Sequence, residues 1–280
     1  MRVADARGTL HRRCADRATL RIVSLVPSLT ELLCDLGLGH AIVGRTGYCI
    51  HPAEVVGRIP KVGGTKTVNA GRIRKLAPTH LIVNIDENEA PTVDALAQFV
   101  PHVIVTHPQK PRDNLDLYRL FGHIFACERE ADRLCARFEA AWNALEQARA
   151  IRRWPQRRVL YLIWKDPWMT IARDTYIASL LAAVDWQQVD VGDAIDAAVP
   201  SSPRYPAIDL PRAAGKADVV LLSSEPYRFT GVDVAALRDA GHDARLVDGE
   251  MLSWYGSRAI AGLEYLQWLA SGAATDRYKT

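Results

Sequence analysis

The stretch Arg21-Ile-Val-Ser-Leu-Val-Pro-Ser-Leu-Thr-Glu-Leu-Leu33 decides how the rest of the chain is read. Its first half is a short continuous apolar run, the pattern of a parallel strand covered on both faces. Pro27 ends that strand, and Ser28-Leu-Thr-Glu31 has the spacing of a capping box that starts a helix, closed by Gly37 and Gly39. A strand that turns directly into a helix is the repeating unit of α/β folds. The same rhythm recurs. His80-Leu-Ile-Val-Asn-Ile85 and His102-Val-Ile-Val-Thr106 follow in the first half of the chain. Arg158-Val-Leu-Tyr-Leu-Ile-Trp164, Asp218-Val-Val-Leu-Leu-Ser223 and Ala244-Arg-Leu-Val247 follow in the second. Ile22 and Leu81 stand as far apart as Leu160 and Val219, a weak internal duplication. Two α/β lobes are the economical reading.

Between the lobes, Glu128 to Arg149 contains neither Gly nor Pro, and Leu134, Phe138, Trp142 and Leu145 recur at helical spacing. The arginine-rich end and Pro155 stop this helix, which predicts one long connector. The expected organisation is a disordered leader over 1–20, a first lobe over 21–127, a connecting helix over 128–150 and a second lobe over 157–270. Asp174 is placed to cap a helix carrying Ile177, Leu180, Leu181 and Val184.

Composition narrows the function. The chain has 280 residues and a net charge of +3, but residues 1–21 hold six arginines against Asp5 and Asp16. The remaining body is near neutral, so it lacks a footprint for nucleic acid. No apolar run approaches the roughly 18–20 residues that span a bilayer. No apolar stretch follows the early arginines as in a secretory signal, so the expected location is cytoplasmic, or periplasmic if the start codon is misassigned. Five cysteines (Cys14, Cys34, Cys49, Cys127, Cys135) in such a chain do not suggest a disulfide framework.

In open α/β sheets, ligands sit beyond the carboxyl ends of the strands. The segments placed there include Asp86-Glu87-Asn88, Trp164-Lys165-Asp166-Pro167-Trp168, Ser223-Ser224-Glu225-Pro226-Tyr227 and Asp248-Gly249-Glu250. Trp164, Trp168 and Trp254 fall in or near these loops, where a tryptophan faces a ligand or fills the core. In Tyr48-Cys49-Ile50-His51-Pro52 a thiol and an imidazole stand two residues apart, on one side of an extended segment. With Asp86 or Glu87 they form a candidate site for a borderline metal, and a buried thiol with a polar histidine is the alternative. Gly63-Gly64-Thr65-Lys66 offers backbone N–H groups and a cation without phosphate-loop spacing. Arg258 opens the final helix, where it adds positive charge or is simply solvated. No nucleophile elbow, HExxH, CxxC or dinucleotide fingerprint is present, so catalysis has no positive signal.

The opening segment, the Val43-Gly44 turn and Ile73 with Leu76-Ala-Pro-Thr-His-Leu-Ile82 resemble the class III substrate-binding proteins of ABC importers. These are the cobalamin- and iron-siderophore-binding, helical-backbone metal receptors. The resemblance covers roughly 21–270, and the loop motifs look like a branch that often lacks a signal peptide. It implies an α/β fold of two Rossmann-like lobes with parallel sheets, joined by one long helix, with a ligand clamped between the lobes. It carries ligand contact onto Tyr48, Thr65 and Lys66, then Trp168, Tyr227, Trp254 and Tyr255. Trp164 and Glu225 join them from their strand-end loops, and Lys66, Arg173 and Arg258 suit carboxylate or phosphate arms. Members that dock a permease carry an acidic residue on a helix-opening turn of each lobe. Here Asn69-Ala-Gly71-Arg-Ile73 has Gly71 at that place, while Asp209 stands near the matching one, which argues against permease docking.

The leading expectation is a small-molecule-binding protein for a metal chelate, a corrinoid first, then haem or a ferric siderophore, with cobalamin as ligand rather than resident cofactor. The alternatives are a cytosolic enzyme or metal-handling protein built on Cys49, His51, Asp86 and Glu87, and a receptor for a small polar metabolite.

Overall fold

The computed structural model describes residues 3–272. The chain divides into two compact units. The first holds residues up to Pro108, Arg112–Glu139 and Tyr255–Arg258; the second holds Gln109–Pro111, Ala140–Trp254 and the chain from Ala259.

The first unit opens with a hairpin, β1 (Val3–Ala4) and β2 (Leu10–His11). It continues with β3 (Ile22–Ser24), α1 (Pro27–Asp35), β4 (Ile42–Arg45), α2 (Ala53–Val56), α3 (Ala70–Lys75), β5 (His80–Asn84), α4 (Ala90–Ala97), β6 (His102–Thr106) and α5 (Asp113–Ile124). The parallel sheet runs β4–β3–β5–β6, with Val23 beside Leu81 and Ile82 beside Ile104. All five residues of β5 are buried, as a strand covered by helices on both faces requires. Leu29, Leu32 and Leu33 are the apolar face of α1, and Val23, Leu25, Leu81 and Val83 lie in the core beneath α3 and α4.

The predicted capping box at Ser28 does not form. Pro27 takes the first helical position with its φ already suited to it, so Val26 is the cap residue and Ser28 lies inside the first turn. Thr30 instead turns its hydroxyl back, within 2.9 Å of Val26 O.

The arginine-rich N-terminus corrects a second expectation, since residues 3–20 are folded (Met1 and Arg2 lie outside the described residues). The Asp5 carboxylate accepts from Arg7 N, Thr9 N and Val105 N and pairs with His11 Nε2 at 3.0 Å. Ala6 N donates to Val105 O, so both open main-chain groups of Val105 on edge strand β6 are satisfied by this hairpin. Cys14 N continues the attachment to Ile124 O. The arginines stay outside, Arg7 on Asp94 and Arg13 on Glu128. Their number reflects side chains held at the surface of a folded segment, not disorder of the backbone.

Helix α6 (Glu128–Arg152) supplies residues to both units, its Ala131, Leu134 and Phe138 buried in the first and its Leu145 in the second. Its 25 residues rise about 38 Å. The second unit then contains β7 (Arg157–Trp164), β8 (Met169–Thr170), α7 (Tyr176–Ala182), β9 (Trp186–Gln188), α8 (Leu210–Ala214), β10 (Val219–Ser223), α9 (Gly231–Asp239), β11 (Ala244–Val247), α10 (Gly249–Ser253) and α11, which spans Arg258–Ser271 and is led in by the first unit's Arg258. Its sheet runs β11–β10–β7 in parallel; β9 pairs with the first residues of β7 and antiparallel β8 with the last. Thr175, not Asp174, caps α7 by accepting from Ala178 N, and Asp174 pairs with Arg204. The fold is thus α/β, two parallel-sheet lobes joined by one long helix. Among the described residues no helix is long and apolar enough to cross a membrane.

Candidate functional site

In the first unit the loops after β4 and β5 form one face. The turn at residues 46–49 is set by Thr46, whose hydroxyl accepts from Tyr48 N and lies 3.1 Å from Cys49 Sγ. Thr30 Oγ1 reaches the same sulfur at 3.1 Å, and burial pushes the thiol pKa up. Cys49 is therefore a buried, protonated packing residue. Its neighbours turn outward: Tyr48 is 64% exposed and Ile50 50% exposed. Ile85, just beyond β5, is 45% exposed. Large apolar side chains left this open at strand ends are the surface a ligand would cover.

The glycine loop supports that face. Gly63 adopts φ +126°, and a Cβ there would lie 2.3 Å from Thr67 O, so only glycine permits the turn. Gly47 N donates to Gly63 O, and a Cβ on Gly64 would meet the Tyr48 ring at 3.5 Å. Asn88 Nδ2 donates to Thr65 O, tying this loop to the one after β5. Lys66 is exposed at its tip.

Residues 255–258 pack against the first unit rather than the second, which the sequence had assigned to them. Gly256 N donates to Asn114 Oδ1, Tyr118 OH donates to Gly256 O, and Gly256 needs its φ of +83°. Tyr255 OH donates to Glu87 at 2.6 Å, where burial and then the Glu87 charge push the phenol pKa up. Arg258 forms a bidentate pair with Glu31 at 2.7 and 2.8 Å, so its positive charge is committed to α1.

Among the described residues no three of the four candidate metal ligands come together. Cys49 faces the interior, Asp86 lies 3.4 Å from His107, and Glu87 is held by Tyr255. Residues 46–52 are not a strand, and burial still alternates from buried Cys49 through exposed Ile50 to half-buried His51. Among the described residues no three His, Cys, Asp or Glu side chains are grouped to hold a metal.

In the second unit, aromatic rings cover the carboxyl ends of β7 and β10. Trp164, 40% exposed, meets Tyr227 edge-on with centroids 5.5 Å apart. Tyr227 leans on Phe229 at 4.7 Å, and Trp168 stacks on Phe229 at 5.8 Å with planes 5° apart. Phe229 is buried in the core and anchors the group. Lys165 Nζ stands 5.7 Å over the Trp168 ring and is paired with Asp233, which keeps its charge beside the aromatic surface.

Glu225 and Trp254 are a separate buried pair. Trp254 Nε1 donates to Glu225 at 2.6 Å and Ser253 Oγ at 2.9 Å. Burial raises the Glu225 pKa, Glu250 and Asp248 add to the rise, and the two donors oppose it. Trp254 is thus positioned by the carboxylate rather than turned to solvent. Arg173 lies elsewhere. Chain reversal through β8 carries it to a cavity of about 320 Å³ with Lys110, Ser179 and Gln187, where its Nε donates to Gln188 O. The structure therefore groups Tyr48, Thr65 and Lys66 in one unit and Trp164, Trp168 and Tyr227 in the other.

Against known proteins, the profile described as "Periplasmic binding protein" matches residues 22–202, well over half of the chain. The chain belongs to the periplasmic binding protein family. Its resemblance to the class III substrate-binding proteins holds on this match. One curated relative, the uncharacterised ABC transporter substrate-binding lipoprotein YvrC of Bacillus subtilis (strain 168), is 27% identical over 170 residues, 59% of this chain. The match spans about half (53%) of that relative's length. Among solved structures, a periplasmic heme-binding protein from Pseudomonas aeruginosa is similar over 91% of this chain and 94% of its own, with TM-score 0.75 and 18% identity. The periplasmic heme-binding protein RhuT from Roseiflexus sp. RS-1 covers 91% and 99%, with TM-score 0.74 and 24% identity. The periplasmic vitamin B12 binding protein BtuF of Vibrio cholerae covers 90% and 98%, with TM-score 0.72 and 18% identity. At these identities the likeness is one of fold.

Proposed function

We propose that this family member binds a flat metal chelate, a corrinoid first and haem next, through apolar and aromatic contact. The observation that carries the proposal is the ring group Trp164–Tyr227–Phe229–Trp168, anchored in the core and open to solvent at Trp164. Tyr48, Ile50 and Ile85 give the first unit a comparable apolar surface at its strand ends. Broad apolar faces without a grouped donor set suit a ligand that arrives with its metal already chelated. The names of the similar structures, which bind vitamin B12 or heme, support the same class. The metal-handling alternative built on Cys49, His51, Asp86 and Glu87 lacks, among the described residues, any grouping of three of these side chains.

Delivery to an ABC permease is not part of this proposal. Gly71 lies on an α3 whose other charges are Arg72, Arg74 and Lys75, and Asp209 is engaged as the cap of α8 through Arg212 N.

The test is titration of the purified chain with hydroxocobalamin, haemin and a ferric catecholate, followed by absorbance and tryptophan quenching. Saturable binding of a corrinoid or haemin with a spectral shift is expected. No saturable binding of any of the three would overturn the proposal.

A further inference from the structure

From Gly57 to Thr79 the sequence has six cationic side chains, Arg58, Lys61, Lys66, Arg72, Arg74 and Lys75, and not one Asp or Glu. All six are exposed, and all belong to the first unit. Arg21 joins them from outside the stretch, because its guanidinium donates twice to Leu76 O at the end of α3. The neighbouring carboxylates do not neutralise the group. Asp86 is 3.4 Å from His107, Glu87 is held by Tyr255, and no ion pair joins Glu54 to Arg58.

Three of the guanidinium groups are held in place without any carboxylate. Arg21 is fixed on Leu76 O, Arg72 reaches Lys61 O at 3.4 Å, and Arg74 lies 4.1 Å over the Phe99 ring. Each keeps donors pointing to solvent. A guanidinium that is already ordered loses less freedom when a carboxylate docks on it.

We infer that α3 and its flanks are a docking surface for a partner protein presenting a compact acidic patch. Charge distribution separates that partner from other polyanions. Outside this stretch, Asp and Glu outnumber Lys and Arg in the chain. The rest of the chain carries a small net negative charge, which gives a long nucleic acid or a wide anionic membrane no further attraction, while a compact patch of carboxylates needs only these cations. The stretch also exposes no aromatic or large aliphatic side chain that would stack on bases or enter a bilayer. Lys66 is shared with the candidate ligand face; Arg58, Lys61, Arg72, Arg74 and Lys75 are not among the residues assigned to the ligand.

The experiment uses the whole chain and three probes: a helical peptide with four glutamates on one face, vesicles containing phosphatidylglycerol, and a short duplex DNA. The variants are Arg72→Glu/Lys75→Glu, Lys61→Glu/Lys75→Glu as a second reversal that disturbs no side-chain hydrogen bond, and Arg133→Glu/Arg137→Glu on α6 as control. The acidic peptide should bind at low salt and weaken as salt shortens the screening length. Either α3 reversal should weaken it on the order of tenfold or more, while the α6 reversal should not. Equal weakening by all three variants would overturn the inference. So would tighter, α3-dependent binding of the vesicles or the DNA than of the peptide.

Discussion

Replacing Asp5 with alanine should destabilise the first unit far more than a change near a chain end ordinarily does. The carboxylate accepts three main-chain N–H bonds and pairs with His11, and both side chains are almost wholly buried. Val105 N–H loses its acceptor in the variant, at about 1–3 kcal/mol for a buried group left unsatisfied. His11 Nε2 loses its partner as well, a second buried polar group left unsatisfied at about 1–3 kcal/mol. Together these give about 2–6 kcal/mol, read as release of the hairpin from β6. Urea unfolding and amide exchange at Val105 measure it, with Asp5→Asn recovering part because one acceptor oxygen remains. The pH dependence has a definite sign. Burial alone would raise the Asp5 pKa, but His11 and the N–H groups of Val105, Thr9 and Arg7 outweigh it and hold it below the ordinary carboxylate range. The stabilisation is therefore complete above pH about 4 and is lost as pH falls through the lowered value, so wild type and variant should converge in acid. A loss under about 0.5 kcal/mol, with unchanged Val105 exchange, would refute the reasoning, since surface changes fall within that range.

Three further outcomes follow from the same structure. Burial drives the His80 pKa down to about 4, with His102 and His11 adding repulsion, so the folded state favours the neutral ring. Stability should be undiminished above pH 6.5 and fall by about 3 kcal/mol as pH drops from 6.5 to 4, and His80→Gln should flatten that slope in pH-dependent melts. Gly249→Ala would place a Cβ 2.4 Å from Ser223 Oγ and 2.6 Å from Glu225 Cγ, and should cost about 1–3 kcal/mol in urea unfolding. Ala141→Pro, inside α6, should cost at least about 3 kcal/mol, and an unchanged melting temperature would contradict an intact helix there.

The strand ladder was legible because its runs are continuous and apolar: His80–Asn84 and Val219–Ser223 are buried at every position, and each pairs in parallel with the first long apolar run of its half. The connecting helix was legible from the absence of Gly and Pro together with Leu134, Phe138 and Leu145. Contacts made by residues far apart in the chain were not. Nothing local ties Asp5 to Val105, Arg258 to Glu31 or Tyr255 to Glu87, and each link re-assigns a residue that looked like a leader or a ligand contact. The strand-end rule found Trp164 and Tyr227 but passed over Ile50, which is exposed next to the buried Cys49, and Ile85, the residue after β5. Phe229 went unnoticed because a lone phenylalanine gives no sign that three rings lean on it, directly or through a neighbour. Arg173 looked like a ligand contact because β8, only two residues long, gave no sequence signal for the reversal that carries it away.

The most direct test of the central claim is calorimetric titration of hydroxocobalamin and haemin into wild type and Trp164→Ala/Tyr227→Ala. Covering the exposed part of the Trp164 ring and the face of Tyr227 should contribute about 2 kcal/mol, from area burial and ring stacking. The double variant should still unfold cooperatively and should bind the ligand that wild type prefers at least about tenfold more weakly. A variant that stays folded and binds with wild-type affinity would contradict the assignment of the aromatic group as the ligand's platform.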